Sequence, residues 1–87
     1  MKLSVRALAI TTGLFWGLAV FIVSLFNLMQ PSYGAAFLDV ISSVYPGYQA
    51  GAGFSSVIIG TLYGMLDGTI GGAIFAFIYN FFSEKLK

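Results

Sequence analysis

Two long runs of apolar residues dominate the chain. The first covers residues 7–29 and has no charged side chain, and the second covers residues 54–82 and has one, Asp67. About 20 apolar residues, rising 1.5 Å each, cross a hydrocarbon core of about 30 Å as a helix. The pattern therefore predicts an all-α membrane protein built as a two-transmembrane helical hairpin.

The first run needs to be distinguished from a cleaved signal peptide, which also has a basic start followed by apolar residues. The apolar core of a signal peptide has only about 7 to 15 residues, whereas this run has 23 without a charge. In addition, Asn27, Gln30 and Pro31 do not make a small-residue cleavage site. We interpret the run as a membrane span.

Between the spans, residues 30–53 predict a short amphipathic helix. Pro31 and Ser32 can begin it, with Ser32 as the N-cap, and Pro46 with Gly47 can end it. Apolar side chains recur at helical spacing within these limits: Tyr33, Phe37, Val40, Ile41, Val44 and Tyr45. We expect this helix to lie in the outer membrane interface, with three tyrosines among the lipid headgroups: Tyr33, Tyr45 and Tyr48.

The charged residues predict how the chain is oriented in the membrane. Only 8% of the 87 residues are charged, compared with about 25% in soluble domains, so we expect a single membrane domain over residues 1–87. The basic residues precede the first span or follow the second: Lys2, Arg6, Lys85 and Lys87. The positive-inside rule then places both termini, including a tail of residues 83–87, in the cytoplasm and the loop outside the inner membrane.

The chain offers no catalytic or metal-binding pattern. It has no Cys and no His, and its net charge is only +1, which disfavours thiol chemistry, soft-metal sites and nucleic-acid binding. Phosphate loops, HExxH and GxSxG motifs are also missing from the sequence. We predict that the protein is not an enzyme, has no cofactor, and has the lipid bilayer and other transmembrane helices as its partners.

Small residues mark one face of each span. In the second span they recur every four positions, and the first span carries a smaller set. Small faces allow helix backbones to approach closely in lipid. We predict that the packing residues meet within the hairpin, between copies, or both; they are Gly13, Gly17, Gly60, Gly64, Gly68, Gly71, Gly72 and Ala76.

Asp67 is the main candidate for a polar site within the membrane. On a helical projection it and Gly71 each lie about 20° from Gly60, and a charged residue at the centre of a span costs about 2.5 to 3.5 kcal/mol. It therefore serves either as a neutral carboxyl that bonds helices together, or as an ion, proton or pore-lining site. An antiparallel register aligned at the helix midpoints brings Trp16 and Val20 near its level, so the Trp16 indole is a candidate donor. Asn27 is the other intramembrane polar candidate.

Three segments carry a resemblance to a known family: residues 42–48 (SSVYPGY), 63–68 (YGMLDG) and 71–80 (GGAIFAFIYN). They resemble a family of small two-span prokaryotic membrane proteins commonly labelled bacteriophage holins. The resemblance implies cytoplasmic termini and assembly in the inner membrane until a lesion opens. This chain departs from many holins because residues 83–87 form only a short tail, without an extended run of charge.

Three functions follow as hypotheses. The first is a holin-like protein that self-assembles through glycine-rich helix faces into an oligomer or pore. The second is an accessory subunit that packs into a larger membrane complex. The third is a proton- or cation-binding carrier that uses Asp67.

Overall fold

The computed structural model describes residues 2–86, and this range folds into three α-helices without a β-strand. Helix α1 covers Val5–Met29, α2 covers Ala35–Val44 and α3 covers Phe54–Lys85. The predicted all-α class is therefore confirmed for the described residues. So is the prediction of two helices that are long and apolar enough to cross a membrane, α1 with 25 residues and α3 with 32.

Helices α1 and α3 pack against each other in antiparallel directions. A Cβ atom added to Gly64 would lie 3.3 Å from Gly17 Cα, and one added to Gly68 would lie 3.0 Å from Gly13 Cα. Along this contact the residue numbers therefore increase in α1 as they decrease in α3. Val20 and Ala76 are fully buried along this contact. The two backbones approach this closely because the facing residues have no side chain.

The register differs from an alignment of helix midpoints. Val20 does not lie at the level of Asp67; it packs against Gly60 and Gly64. The helices align glycine against glycine, since this gives the closest approach. As a result α3 continues past the first turn of α1.

Asn80 ties the start of the described chain to α3. Its Oδ1 atom accepts a hydrogen bond from the Leu3 backbone N–H at 2.7 Å, and its Nδ2 atom donates to the Leu3 carbonyl at 2.9 Å. One side chain thus satisfies both backbone groups of a residue that precedes the helix.

We expect Asn80→Ala to lower the free energy of unfolding by about 1 to 2 kcal/mol, because two hydrogen bonds of about 1 kcal/mol each are lost. Amide exchange at Leu3 should also become faster. Unfolding of detergent-solubilised protein, with hydrogen exchange read by mass spectrometry, measures both effects. Tyr79→Phe, at the exposed neighbouring position, is the control. Unchanged exchange at Leu3 would contradict the role assigned to Asn80.

Helix α2 begins later than the sequence predicts. Ser32 is not its N-cap; Gly34 takes that position with a φ of 62°, and no side chain caps the helix. The preceding residues form a turn instead, in which Asn27 Nδ2 donates to the carbonyls of Pro31 and Tyr33 at 3.0 and 2.9 Å. Because a positive φ is favourable only for glycine, the helix starts immediately after Gly34.

The connecting segment, residues 30–53, packs along the side of the α1–α3 pair. Its buried residues form one cluster: Leu38, Ile41, Tyr45 and Tyr48. Tyr45 and Tyr48 are only 4% and 3% exposed, which corrects the expectation that all three tyrosines face lipid headgroups. Their hydroxyls bond to side chains of α3 and α1 instead, Tyr45 to Asp67 and Tyr48 to Ser24. Tyr33 alone of the three remains exposed.

Candidate functional site

A chain of two side-chain hydrogen bonds links all three helical regions near the middle of the long helices. Trp16 Nε1–H donates to Tyr45 Oη at 2.9 Å, and Tyr45 Oη–H donates to Asp67 Oδ2 at 2.8 Å. The expected bond from Trp16 to Asp67 is therefore replaced by an indirect link through a residue of the connecting segment. Trp16 belongs to α1, Tyr45 follows the last residue of α2, and Asp67 belongs to α3.

Packing fixes the Tyr45 ring in this position. It stacks on Tyr63 with a centroid distance of 5.2 Å and an interplanar angle of 20°. Trp16 is held in turn by an edge contact with Phe37, with ring centroids 5.9 Å apart. Burial, together with the neighbouring Asp67, raises the pKa of the Tyr45 hydroxyl even though the Trp16 donor opposes the shift. The hydroxyl therefore keeps its proton and donates a hydrogen bond to the carboxyl.

Asp67 itself borders an open groove between α1 and α3. Tyr45 of the connecting segment bonds to Asp67, while the residues that line the groove all belong to α1 and α3. Asp67 is exposed there. The groove has a volume of about 380 Å³ and is lined by Thr12, Phe15, Trp16, Asp67, Gly68, Gly71, Gly72 and Phe75. We call this surface the Asp67 groove.

Gly71 belongs to the groove and not to the contact between α1 and α3. A Cβ atom added there would meet nothing within 4 Å, and the residue is exposed. Gly71 therefore takes no part in the contact between α1 and α3, and packing between copies stays a prediction for it. The physical reason is rotation: a row of every fourth residue turns by about 40° per step, so the contact with α1 leaves Gly71 aside.

The other predicted packing glycines lie at the contact between the two long helices. Added Cβ atoms would meet residues of the opposite helix at each of them: Gly13, Gly17, Gly60, Gly64, Gly68 and Gly72. Ala76, at the next position of the row, is fully buried. A hydrogen bond of 2.6 Å from Thr12 Oγ1 to the Gly68 carbonyl crosses the same contact. Both small faces are consequently used within a single copy.

Asn27 lies at the end of α1, away from Asp67. It is buried, and its amide group holds the turn that follows α1. It has no contact with the Asp67 groove. Its part in the fold is to fix where the chain reverses.

The site has the chemistry of a single carboxyl among aromatic rings and glycines. No group of three or more His, Cys, Asp or Glu side chains that could hold a metal occurs among residues 2–86. One oxygen of Asp67 accepts from Tyr45, and the carboxyl is open to the groove on its exposed side. The arrangement can therefore receive a hydrogen-bond donor or a cation.

Tyr45 is the member of the site that the sequence interpretation missed. The pattern assigned it to a headgroup region, although a carboxyl among apolar residues needs a donor and a phenol is a suitable one. The turn at Pro46 and Gly47, directly after it, was the available signal that the chain reverses at this point.

Comparisons with models of known protein families, with curated proteins and with solved structures found no match to this chain.

Proposed function

We propose that the protein is an integral membrane protein that assembles with copies of itself, in a holin-like manner, through the Asp67 groove. In this proposal α1 and α3 span the inner membrane, both chain ends lie in the cytoplasm, and the connecting segment packs on the hairpin from the outer side. The observation that carries the proposal is an exposed carboxyl halfway along a helix of membrane-spanning length.

The outer surface of the helix pair supports the membrane location. Large apolar side chains are exposed along both long helices, among them Phe15, Leu18, Phe26, Leu62, Leu66 and Phe77. A soluble monomer rarely exposes a continuous apolar surface of this extent, whereas lipid solvates it. The basic residues Lys2, Arg6 and Lys85 lie at the opposite end from the connecting segment, as the positive-inside rule requires for cytoplasmic ends.

The position of Asp67 supports self-assembly. A carboxyl exposed at mid-depth to hydrocarbon is costly, and a polar neighbour lowers that cost. Copies inserted in the same orientation carry Asp67 at the same depth. A symmetric contact therefore brings the carboxyl of one copy beside the carboxyl of the next, so that each has a polar neighbour.

Gly71 supports the same surface. The glycines of the two long rows are occupied by the α1–α3 contact, so they offer no face to a second copy. Gly71 is open and lies beside Asp67. A neighbouring helix can approach closely at this glycine, and the carboxyls of several copies would then line a polar path.

Native mass spectrometry of protein extracted from its own membrane tests the proposal. We expect the wild type to form a discrete homo-oligomer and to release a small dye from liposomes. Gly71→Leu fills the groove, so it should give monomers and no release. Ala36→Leu introduces the same leucine side chain on the exposed side of α2 and should leave the oligomer intact.

The outcomes separate the competing functions. A monomeric wild type would reject self-assembly. Co-purification with unrelated chains that is lost in Gly71→Leu would instead support an accessory subunit, whose partner helix fills the same groove. An oligomer that survives Gly71→Leu would place the interface elsewhere on the hairpin.

A further inference from the structure

The Asp67 groove is lined by one acidic side chain and by no basic one. Its eight lining residues include one carboxyl and no Lys or Arg. The basic residues of the described chain lie near the ends of the long helices, at Lys2, Arg6 and Lys85, while Asp67 lies near the middle of α3. No basic side chain of the described residues therefore lies beside Asp67 in this groove.

The walls of the groove are aromatic. Phe15 and Phe75 are 71% and 62% exposed, and Trp16 forms a third wall. The negative faces of aromatic rings attract cations, and the effect is largest for tryptophan and for desolvated sites. A carboxyl beside three rings is a combination that recognises an organic cation with an apolar body.

The size and the glycine lining of the groove suit such a ligand. A volume of about 380 Å³ lies within the usual range of small-molecule sites, about 300 to 1,000 Å³. Three of the lining residues are glycines, Gly68, Gly71 and Gly72, and the space beside Gly71 is open, since an added Cβ atom would meet nothing within 4 Å. A compact hydrated metal ion would leave the aromatic walls unused.

We infer that the Asp67 groove is a binding site for a lipophilic organic cation, with Asp67 as the counter-ion and Phe15, Trp16 and Phe75 as the walls. The cation reaches the groove from the lipid phase, since the groove opens on the outside of the helix pair. The site is complete within one copy, so the inference does not depend on self-assembly.

The probe is tetraphenylphosphonium, and the control ligand is tetraphenylborate, an anion of the same shape. The full chain is placed in phosphatidylcholine nanodiscs at one copy per disc, with empty discs as the baseline for partition into lipid. Trp16 is the only tryptophan in the chain, so its emission reports from the groove wall. Equilibrium dialysis measures the bound ligand independently.

We expect saturable binding of the cation to the wild type and only lipid partition of the anion. Asp67→Asn should weaken cation binding by at least about tenfold, whereas Asp67→Glu, which keeps the charge, should retain it. Asp39→Asn removes an exposed carboxyl from α2 and should bind as the wild type does. Gly71→Leu fills the groove without changing its charge and should abolish binding.

Equal binding of the cation by the wild type and Asp67→Asn would overturn the inference, and so would saturable binding of the anion. Circular dichroism of each variant reports whether the helices are retained. If Asp67→Asn loses its helices, Asp67→Glu and Gly71→Leu still decide the question, because binding retained by both or lost by both would reject the site.

Discussion

Gly68→Ala is expected to destabilise the fold by about 1 to 3 kcal/mol, the usual cost of overpacking a closely packed contact. The added Cβ atom would lie 2.5 Å from the Thr12 carbonyl oxygen, 2.9 Å from Trp16 Cβ and 3.0 Å from Gly13 Cα. Two of these atoms belong to the backbone of α1, so the helices themselves must separate. The hydrogen bond from Thr12 to the Gly68 carbonyl would weaken as they do.

Gly71→Ala is the matched control for this prediction. It makes the same chemical change three residues further along α3, but its added Cβ atom meets nothing within 4 Å. Alanine also favours a helix over glycine by up to about 1 kcal/mol. We therefore expect unchanged or slightly increased stability. Titration with a denaturing detergent, followed by circular dichroism, compares the two variants, and equal destabilisation would contradict the α1–α3 contact described above.

Tyr45→Phe is expected to cost about 1 to 3 kcal/mol, because it removes the hydroxyl shared by Trp16 and Asp67 and leaves a donor and an acceptor without this partner. The lost free energy weakens the docking of the connecting segment to the long helices. Faster amide exchange in residues 45–53 and a changed Trp16 emission should accompany the loss of stability. Hydrogen exchange and fluorescence of the detergent-solubilised protein measure these effects.

Tyr63→Phe is the control for this prediction, because it removes a hydroxyl from the neighbouring ring and not the hydroxyl of Tyr45. Tyr63 stacks on Tyr45, so its variant keeps the aromatic contact and leaves the bonds among Trp16, Tyr45 and Asp67 in place. We expect exchange in residues 45–53 to stay near the wild-type rate. Equal opening of the segment in both variants would contradict a specific role for the Tyr45 hydroxyl, because both variants keep the stacked rings.

The long helices could be predicted from the sequence because their apolar runs exceed what any other element needs. Most of the packing glycines could also be predicted, since a period of four residues marks one helix face. The contact with α1 follows this row as it turns through Gly60, Gly64, Gly68 and Gly72. Which of the small residues remain outside the contact could not be predicted, and Gly71 is one that lines the Asp67 groove instead.

The position of the connecting segment could not be predicted, because α2 is apolar on two sides. Leu38 and Ile41 face the long helices, while Val40 and Val44 are 62% and 61% exposed. Periodicity identifies apolar positions but does not say which of them touch protein. For this reason Tyr45 could not be named as the partner of Asp67, since it reaches the carboxyl only when the segment docks on the side of the α1–α3 pair.

The hydrogen bonds between Leu3 and Asn80 have a consequence for protein engineering. They hold the beginning of α1 beside the last turns of α3, so the chain enters and leaves the helix pair at the same end. A short flexible linker can therefore join residue 86 of one copy to residue 2 of the next without reversing the second copy. Concatemers with a fixed number of copies in one polypeptide are compatible with this fold.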